Sequence, residues 1–135
     1  EKEELDENIL KGMRFLCAED NELNAEILIE LLKIEGAECT ICENGERILN
    51  TFEQSALGEY DIILMDVQMP VMNGYEATKA IRRSTHKRAK TIPIIAMTAN
   101  AFQEDAEKCI AVGMNAHLAK PLDIEKVKMT IYKYI

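Results

Sequence analysis

The chain has 135 residues, of which 24 are acidic and 16 are basic, so its formal net charge is −8. This length suits one domain that can bury a hydrophobic core without disulfides or a structural metal. Because 47% of the residues are hydrophobic and 30% are charged, disordered, collagen-like and low-complexity classes are excluded, and the acidic charge argues against general binding of nucleic acid or anionic membranes.

Residues 1–11 predict an acidic interdomain linker, and residues 12–135 predict a single domain. The first 11 residues contain five acids and two lysines, and they lack a basic stretch followed by an apolar one. No apolar run approaches the roughly 20 residues of a membrane span. Because an initiator Met is also absent, we expect a cytoplasmic segment of a longer chain, with no membrane contact by this domain even where the parent chain is anchored.

Strands and helices alternate along the rest of the chain. Short apolar runs predict strands at residues 13–18, 37–42, 61–65, 91–97 and 115–119. Helical spacing and end signals predict helices at residues 21–35, 44 to about 58, 73–83, 103–112 and from Asp123 onward. Strict alternation predicts a doubly wound α/β sandwich, with helices on both faces of a parallel sheet.

Two helices have well-defined apolar stripes. The stripe of the last helix faces inward and consists of Ile124, Val127, Ile131 and Ile135. The stripe of the first helix is predicted from its spacing at Leu23, Ile27, Leu31 and Ile34.

The four cysteines, at positions 17, 39, 42 and 109, predict reduced thiols. Cys39 and Cys42 form a CxxC motif, which can be a redox pair or half of a zinc site. We favour a structural interpretation, because residues three apart in a strand point to opposite faces. No second CxxC or nearby His pair completes a metal site.

Polar residues stand at the carboxyl ends of four predicted strands. Glu19 and Asp20 follow the first strand, Asp66 the third, Thr98 the fourth and Lys120 the fifth. Ligands of open α/β sheets bind beyond this edge. We therefore expect three carboxylates, a hydroxyl and an ammonium group in one cleft.

This set of groups favours magnesium-dependent phosphoryl chemistry. Three carboxylates repel one another unless a cation neutralises them, and hard oxygen donors in this number favour Mg²⁺ over Ca²⁺. A carboxylate can attack phosphorus and form an acyl phosphate. Such a transfer depends on positioning and charge neutralisation, to which Lys120 and Thr98 can contribute.

These residues lie in motifs that resemble the receiver domain of two-component response regulators. The motifs are Glu19-Asp20-Asn21, Asp66-Val-Gln-Met-Pro-Val-Met-Asn-Gly74, Thr98-Ala99 and Lys120-Pro121. They occur in the order of that family, and the resemblance covers about residues 12–135. It implies a flavodoxin-like (βα)5 fold with a five-stranded parallel sheet of order 2-1-3-4-5.

The resemblance also implies a role for each acidic residue. Asp66 is the phosphoacceptor, which takes a phosphoryl group from a phosphohistidine with Mg²⁺ as cofactor. Asp20 is a direct metal ligand together with Asp66, and Glu19 acts mostly through water. Gln68 contributes its backbone carbonyl oxygen as a further ligand.

Around the phosphate, the resemblance implies that Thr98 swings toward it and that Lys120 pairs with it. The Lys120-Pro121 peptide bond is expected to be cis. Many receivers have Tyr or Phe as an aromatic switch where this chain has His117. We favour a partly exposed strand residue there over a switch that also responds to pH.

The resemblance is greatest to receivers of hybrid sensor histidine kinases. This closer resemblance depends on Asn24 and on residues 97–105 and 113–121. Asn24 itself is either a surface residue or a contact for the phosphodonor. It implies a histidine kinase or a histidine phosphotransfer domain as the partner, and it is compatible with a weak dimer. The alternatives are a stand-alone single-domain response regulator and a degenerate receiver that serves only as a scaffold.

Three other interpretations are less favoured. Aspartyl-phosphate enzymes need a second acid two residues after the nucleophile, where this chain has Gln68. We therefore expect no enzymatic activity of the isolated domain beyond its own phosphoryl transfer and autodephosphorylation, whereas the resemblance implies a sensor histidine kinase as the parent chain. Dinucleotide-binding modules need a Gly-rich loop after the first strand, whereas this chain has Glu19 and Asp20 at that place. Residues 79–90 are basic but lack interleaved aromatic residues, so we expect no nucleic-acid contact. We also expect His86, which lies in this segment, to be exposed to solvent.

Overall fold

The computed structural model describes residues 7–99 and 103–134, and within them five strands alternate with five helices. The strands are β1 (Arg14–Ala18), β2 (Glu38–Cys42), β3 (Ile62–Asp66), β4 (Ile94–Thr98) and β5 (Ala116–Ala119). The helices are α1 (Glu22–Ile34), α2 (Gly45–Gln54), α3 (Gly74–Arg83), α4 (Gln103–Val112) and α5 (Ile124–Tyr132). The predicted elements are confirmed with boundaries shifted by a few residues. Residues 100–102, part of the stretch compared with hybrid kinases, and Ile135 lie outside the described residues.

The strands form a parallel sheet in the order β2-β1-β3-β4-β5, which confirms the expected 2-1-3-4-5 topology. Ala18 is paired with Met65, and Thr98 is paired with Ala119. The strands therefore end at nearly the same level. The residues that follow them share one edge of the sheet.

The core consists of two layers, one on each face of the sheet. Every residue of β3 and β4 is buried, because helices cover both faces. One layer contains Phe52 of α2 and Ile81 of α3, and the other contains Phe15 of β1, Leu32 of α1 and Ile131 of α5. Among the helices described, none combines the length and the apolar character that a bilayer span requires.

Helix α1 packs on the sheet through a different side from the predicted stripe. Leu23, Ile27 and Ile34 of that stripe are 65%, 56% and 78% exposed. Both sides of this helix carry apolar residues at helical spacing, so periodicity alone does not choose between them. The residues that it buries are Ala25, Leu28 and Leu32.

The CxxC motif is divided between the two faces of the sheet, as predicted for a strand. Cys39 Sγ lies 3.2 Å from Cys17 Sγ on β1, whereas Cys42 Sγ lies 3.5 Å from Thr51 Oγ1 on α2. All four cysteines are free thiols. Burial raises the pKa of the Cys17 thiol well above its usual value, so this thiol is a poor nucleophile.

Arg82 in the basic segment has a structural role that the sequence did not indicate. Its guanidinium donates to the carbonyl oxygens of Gly113, Ala89 and Ile92 and to Oδ1 of Asn115, at distances between 2.8 and 3.0 Å. One side chain thus connects the end of α3 with the segments before β4 and β5.

His86 is half-buried rather than exposed, which corrects the expectation from the sequence. Its ring centroid lies 4.3 Å from that of Phe52. Its Nε2 lies 3.0 Å from the carbonyl oxygen of Ser55, and its Nδ1 accepts a hydrogen bond from the backbone N–H of Arg88. This imidazole therefore connects the loop after α3 to the end of α2.

Part of the segment predicted as a linker packs against the domain. Leu10 is fully buried in the layer formed with α1 and α5. The Nζ of Lys128 donates to the carbonyl oxygen of Glu7 and lies 2.6 Å from the carboxylate of Glu35. The hydrogen bond with Glu35 raises the pKa of Lys128. The domain boundary at residue 12 stays a prediction.

Candidate functional site

A cleft of about 690 Å³ opens at the carboxyl edge of the sheet. Its lining includes Glu19 and Asp20 after β1, Asp66 at the end of β3, Thr98 at the end of β4, and Lys120 after β5. The five polar residues singled out from the sequence therefore meet in one place, because their parallel strands end at one edge.

Lys120 bridges two carboxylates inside this cleft. Its Nζ lies 2.8 Å from Glu19 Oε1 and 2.9 Å from Asp66 Oδ2. The side chains of Glu19 and Asp66 are only 3% and 7% exposed. Burial lowers the pKa of Lys120, but its hydrogen bonds to the two carboxylates outweigh burial and raise the pKa overall. The ammonium group therefore stays charged.

Asp66 has an unusual protonation equilibrium for an aspartate. Burial raises its pKa to about 6, although the hydrogen bond and charge of Lys120 act in the opposite direction. The nearby charge of Glu19 raises the pKa further, and the backbone N–H of Gln68 donates to Oδ1 at 3.2 Å. Additional positive charge in the cleft would favour the carboxylate form.

The acidic residues have a geometry that suits a hard cation. One carboxylate oxygen from each of Glu19, Asp20 and Asp66 lies within 4.8 Å of the others. Glu19 and Asp66 are buried, whereas Asp20 is exposed. An all-oxygen donor set of this kind fits Mg²⁺. Gln68 lines the same cleft, and the role of its backbone carbonyl stays a prediction.

The loop between β3 and α3 fixes the backbone behind Asp66. The N–H of Gly74 donates to the carbonyl oxygen of Val67 at 3.0 Å. A Cβ at position 74 would lie 2.2 Å from the carbonyl oxygen of Asp66, so only glycine fits here. Asn73 and Glu76 then form a capping box that begins α3.

Thr98 and His117 lie on the same face of the sheet. His117 on β5 is opposite Ala96 on β4, and Thr98 is two residues further along that strand. His117 is half-buried and is absent from the cleft lining among the residues described.

The backbone N–H of Lys120 donates to the carbonyl oxygen of Thr98 at 2.8 Å. The Lys120-Pro121 bond is cis, as expected.

Two residues of the cleft were not found from the sequence. Tyr75 in the first turn of α3 and Lys108 in α4 both contribute to its lining. The Nζ of Lys108 lies 4.5 Å from the centroid of the Tyr75 ring. No motif marks these positions, and only the packing of α3 beside α4 brings them together.

A mainly apolar groove of about 420 Å³ also lies beside the cleft. It runs between α1 and the segment after β5. Glu19, Lys120 and Asn24 line both cavities, so a molecule seated in the groove would be next to Asp66. The apolar lining comes from Ile27, Leu28, Leu31, Met97, Pro121 and Leu122.

Comparisons with known proteins agree with this geometry. Residues 15–132 match the family described as the response regulator receiver domain. Histidine kinase 1 of Arabidopsis thaliana is 36% identical over 90% of this chain, and hybrid signal transduction histidine kinase I of Dictyostelium discoideum is 38% identical over 90%. The chain spans only 13% and 7% of the lengths of these two relatives.

Solved structures show the same fold. The receiver domain of a Pseudomonas aeruginosa sensor histidine kinase, with a magnesium ion coordinated in its active site cleft, matches with a TM-score of 0.80 and 36% identity over 91% of this chain and 97% of that chain. The receiver domain of a Saccharomyces cerevisiae response regulator, solved with a histidine phosphotransfer protein, matches with a TM-score of 0.78 and 28% identity over 93% and 90%.

Proposed function

We propose, from the premise that this chain belongs to the response regulator receiver domain family, that Asp66 accepts a phosphoryl group from a phosphohistidine. One observation carries the proposal. A buried aspartate stands 2.9 Å from an ammonium group and beside two further carboxylates. This arrangement provides a nucleophile, a positive charge for the transferred group and oxygen ligands for a cation.

The transfer exchanges one bond for another. A carboxylate oxygen of Asp66 attacks phosphorus, the P–N bond of the phosphohistidine breaks, and an acyl phosphate O–P bond forms. The imidazole keeps the electron pair of the broken bond and takes up a proton. Lys120 holds the acceptor carboxylate and offsets the charge of the transferred group, and the Thr98 hydroxyl binds one of its oxygens.

Mg²⁺ is the proposed cofactor, and it neutralises phosphoryl charge when bound. Asp20 and Asp66 would hold it directly, Glu19 would act mostly through water, and the backbone carbonyl of Gln68 would complete the protein ligands. The oxygen donors within 4.8 Å of one another support this assignment, as does the metal of the Pseudomonas receiver.

Phosphorylation would act on a two-state equilibrium of the domain. The acyl phosphate adds negative charge where Lys120 now pairs with Asp66 and Glu19, so this ion-pair network must rearrange. Thr98 is the proposed switch residue, and His117 lies on the same face of the sheet. Conformers that suit the new charge are then more populated.

The proposed phosphodonor is a histidine phosphotransfer domain that docks in the groove beside α1. The groove shares Glu19 and Lys120 with the acceptor cleft, so a histidine there can reach Asp66. The exposed apolar side of α1 provides the contact surface. The complex of the yeast receiver with a histidine phosphotransfer protein supports this choice.

The wider setting is also a proposal. Several relatives are hybrid kinases, which supports residues 12–135 as the receiver of a hybrid sensor histidine kinase, with residues 1–11 as the linker. A cytoplasmic location follows from that origin. The net charge of −8 argues against nucleic acid as a partner.

Beryllofluoride, which mimics a phosphoryl group on a carboxylate, tests the proposed site without a donor protein. We expect fluorine NMR signals of bound beryllofluoride in the wild type only when Mg²⁺ is present, and none in Asp66→Asn. Signals that persist in Asp66→Asn would assign the acceptor to another residue. Their absence from the wild type with Mg²⁺ would contradict a working receiver.

A further inference from the structure

The acceptor cleft contains more negative than positive charge. Its described lining has three carboxylates and two ammonium groups, those of Lys120 and Lys108. Lys120 is already paired with Glu19 and Asp66. A phosphoryl donor that approaches this cleft brings further negative charge to a protein of net charge −8. Lys108 is therefore the cleft cation that is not committed to the acceptor carboxylate.

The structure holds Lys108 at the cleft through an aromatic ring. Lys108 is exposed on α4, and its Nζ lies 4.5 Å from the centroid of Tyr75 in the first turn of α3. An ammonium group over an aromatic face is attracted by the ring quadrupole. The contact restricts a flexible side chain and leaves its charge accessible from solvent.

We infer that Lys108 assists phosphoryl transfer as a second cation, one that draws the dianionic phosphoryl group of a donor to the Asp66 cleft. The inference rests on the proposed function of Asp66. A fixed positive charge beside a cleft raises the local concentration of an anionic substrate and its rate of association. Because Lys108 is exposed, its effect decreases as salt is added.

A purely structural role for Lys108 makes different predictions. If the Lys108–Tyr75 contact only connects α4 to α3, its loss lowers stability and leaves the ion equilibria of the cleft unchanged. If Lys108 acts through its charge, its loss slows the approach of an anion and strengthens the binding of a cation. Opposite effects on phosphate donor and Mg²⁺ therefore identify the charge as the cause.

The experiment compares Lys108→Gln with Lys33→Gln, which makes the same charge change at an exposed position in the last turn of α1. Lys33 lies at the opposite end of α1 from the cleft residue Asn24. Two quantities are measured for each variant: the second-order rate constant for labelling by acetyl phosphate, and the dissociation constant for Mg²⁺ without donor.

For Lys108→Gln we expect labelling about 3- to 10-fold slower than wild type at low ionic strength, with most of this difference lost at high ionic strength. We also expect Mg²⁺ to bind about 2-fold more tightly, because a repelling charge is gone. Lys108→Arg, which keeps the charge, should retain the wild-type rate. Lys33→Gln should match wild type in both measurements.

Equal labelling rates for Lys108→Gln and Lys33→Gln would overturn the inference while wild-type labelling of Asp66 continues to support the proposed function. A wild type that acetyl phosphate does not label, and that gives no Mg²⁺-dependent signal of bound beryllofluoride, would contradict the proposed function itself. The Mg²⁺ titration would then still decide whether Lys108 acts electrostatically on the cleft, since it needs no phosphoryl transfer.

Discussion

Asp66 carries its charge in a position where burial opposes ionisation. Its pKa rises from an ordinary value of 3.8 to about 6, chiefly through burial. A carboxyl with a higher pKa in the folded than in the unfolded protein binds its proton more tightly when folded. Asp66 therefore contributes stability below about pH 4, and this contribution is lost as the pH rises through about 6.

Replacement of Asp66 by the neutral Asn should remove this pH dependence. We expect Asp66→Asn to raise the free energy of unfolding of the Mg²⁺-free protein by about 1–2 kcal/mol at about pH 7, with the gain shrinking toward pH 4. Urea denaturation across this pH range measures the difference. A variant less stable than wild type at neutral pH would show that the Lys120 pair outweighs burial.

Replacement of Asp20 tests the repulsion among the three carboxylates, since Asp20 is the exposed member of the group. We expect Asp20→Ala to weaken Mg²⁺ binding at least about tenfold, as loss of a metal-site group does, and to raise the stability of the metal-free protein. Calorimetric Mg²⁺ titration and thermal unfolding measure these effects. Glu30→Ala, at an exposed position of α1, is the control. If Asp20→Ala lowers the stability of the metal-free protein and Glu30→Ala does not, the proposed repulsion among the three carboxylates is wrong.

Individual site residues differed in how far the sequence predicted them. Glu19, Asp20, Asp66 and Lys120 lie at the carboxyl ends of strands or just after them, so the rule that ligands bind at this edge was enough to bring them together. Lys108 and its Tyr75 contact come from two helices whose packing has no local signature. The ion pairs of Lys120 and the raised pKa of Asp66 depend on burial, which composition and spacing do not give.

At the scale of elements, α1 shows the limit of periodicity. The helix was predicted, but its apolar positions form two stripes, and the stripe with Ile27 is largely exposed. The sheet instead covers Ala25, Leu28 and Leu32. An exposed apolar helix side next to a functional cleft has a physical interpretation as a docking surface.

The position of Ile27 in the groove gives a direct test of docking. We expect Ile27→Arg to slow phosphotransfer from a phosphorylated histidine phosphotransfer protein about tenfold or more, because it places a charge in an apolar contact. Labelling by acetyl phosphate should not be slowed, because an added positive charge beside the cleft does not repel a small anionic donor. Ile34→Arg is the matched control, because Ile34 is 78% exposed at the other end of α1. Equal phosphotransfer by both variants would place the donor elsewhere.

Arg82 connects several elements, and its removal should affect the whole domain. We expect Arg82→Leu to lower the free energy of unfolding by about 2–4 kcal/mol, because several carbonyl groups lose a charged donor. Arg83→Leu, at the next and exposed position, should change it by less than about 1 kcal/mol. Urea denaturation measures both values, and similar effects of the two variants would contradict the structural role of Arg82.

At the scale of the whole molecule, the alternation of apolar strands with capped helices was enough to predict the layered α/β fold. The order of the strands came from resemblance to a family, since alternation alone permits several orders. The buried position of Leu10 was not predicted, because the acidic residues around it suggested a solvated linker. The cleft that contains Asp66 lies at the carboxyl edge of the sheet, and the proposed signalling function depends on that cleft.

The most direct test of the central claim is the intact mass of the acid-quenched protein after incubation with acetyl phosphate. The wild type should gain one phosphoryl group when Mg²⁺ is present and none when it is chelated, and Asp66→Asn should gain none under either condition. An adduct that persists in Asp66→Asn, or that forms equally well without Mg²⁺, would contradict the assignment of Asp66 as a magnesium-dependent phosphoacceptor.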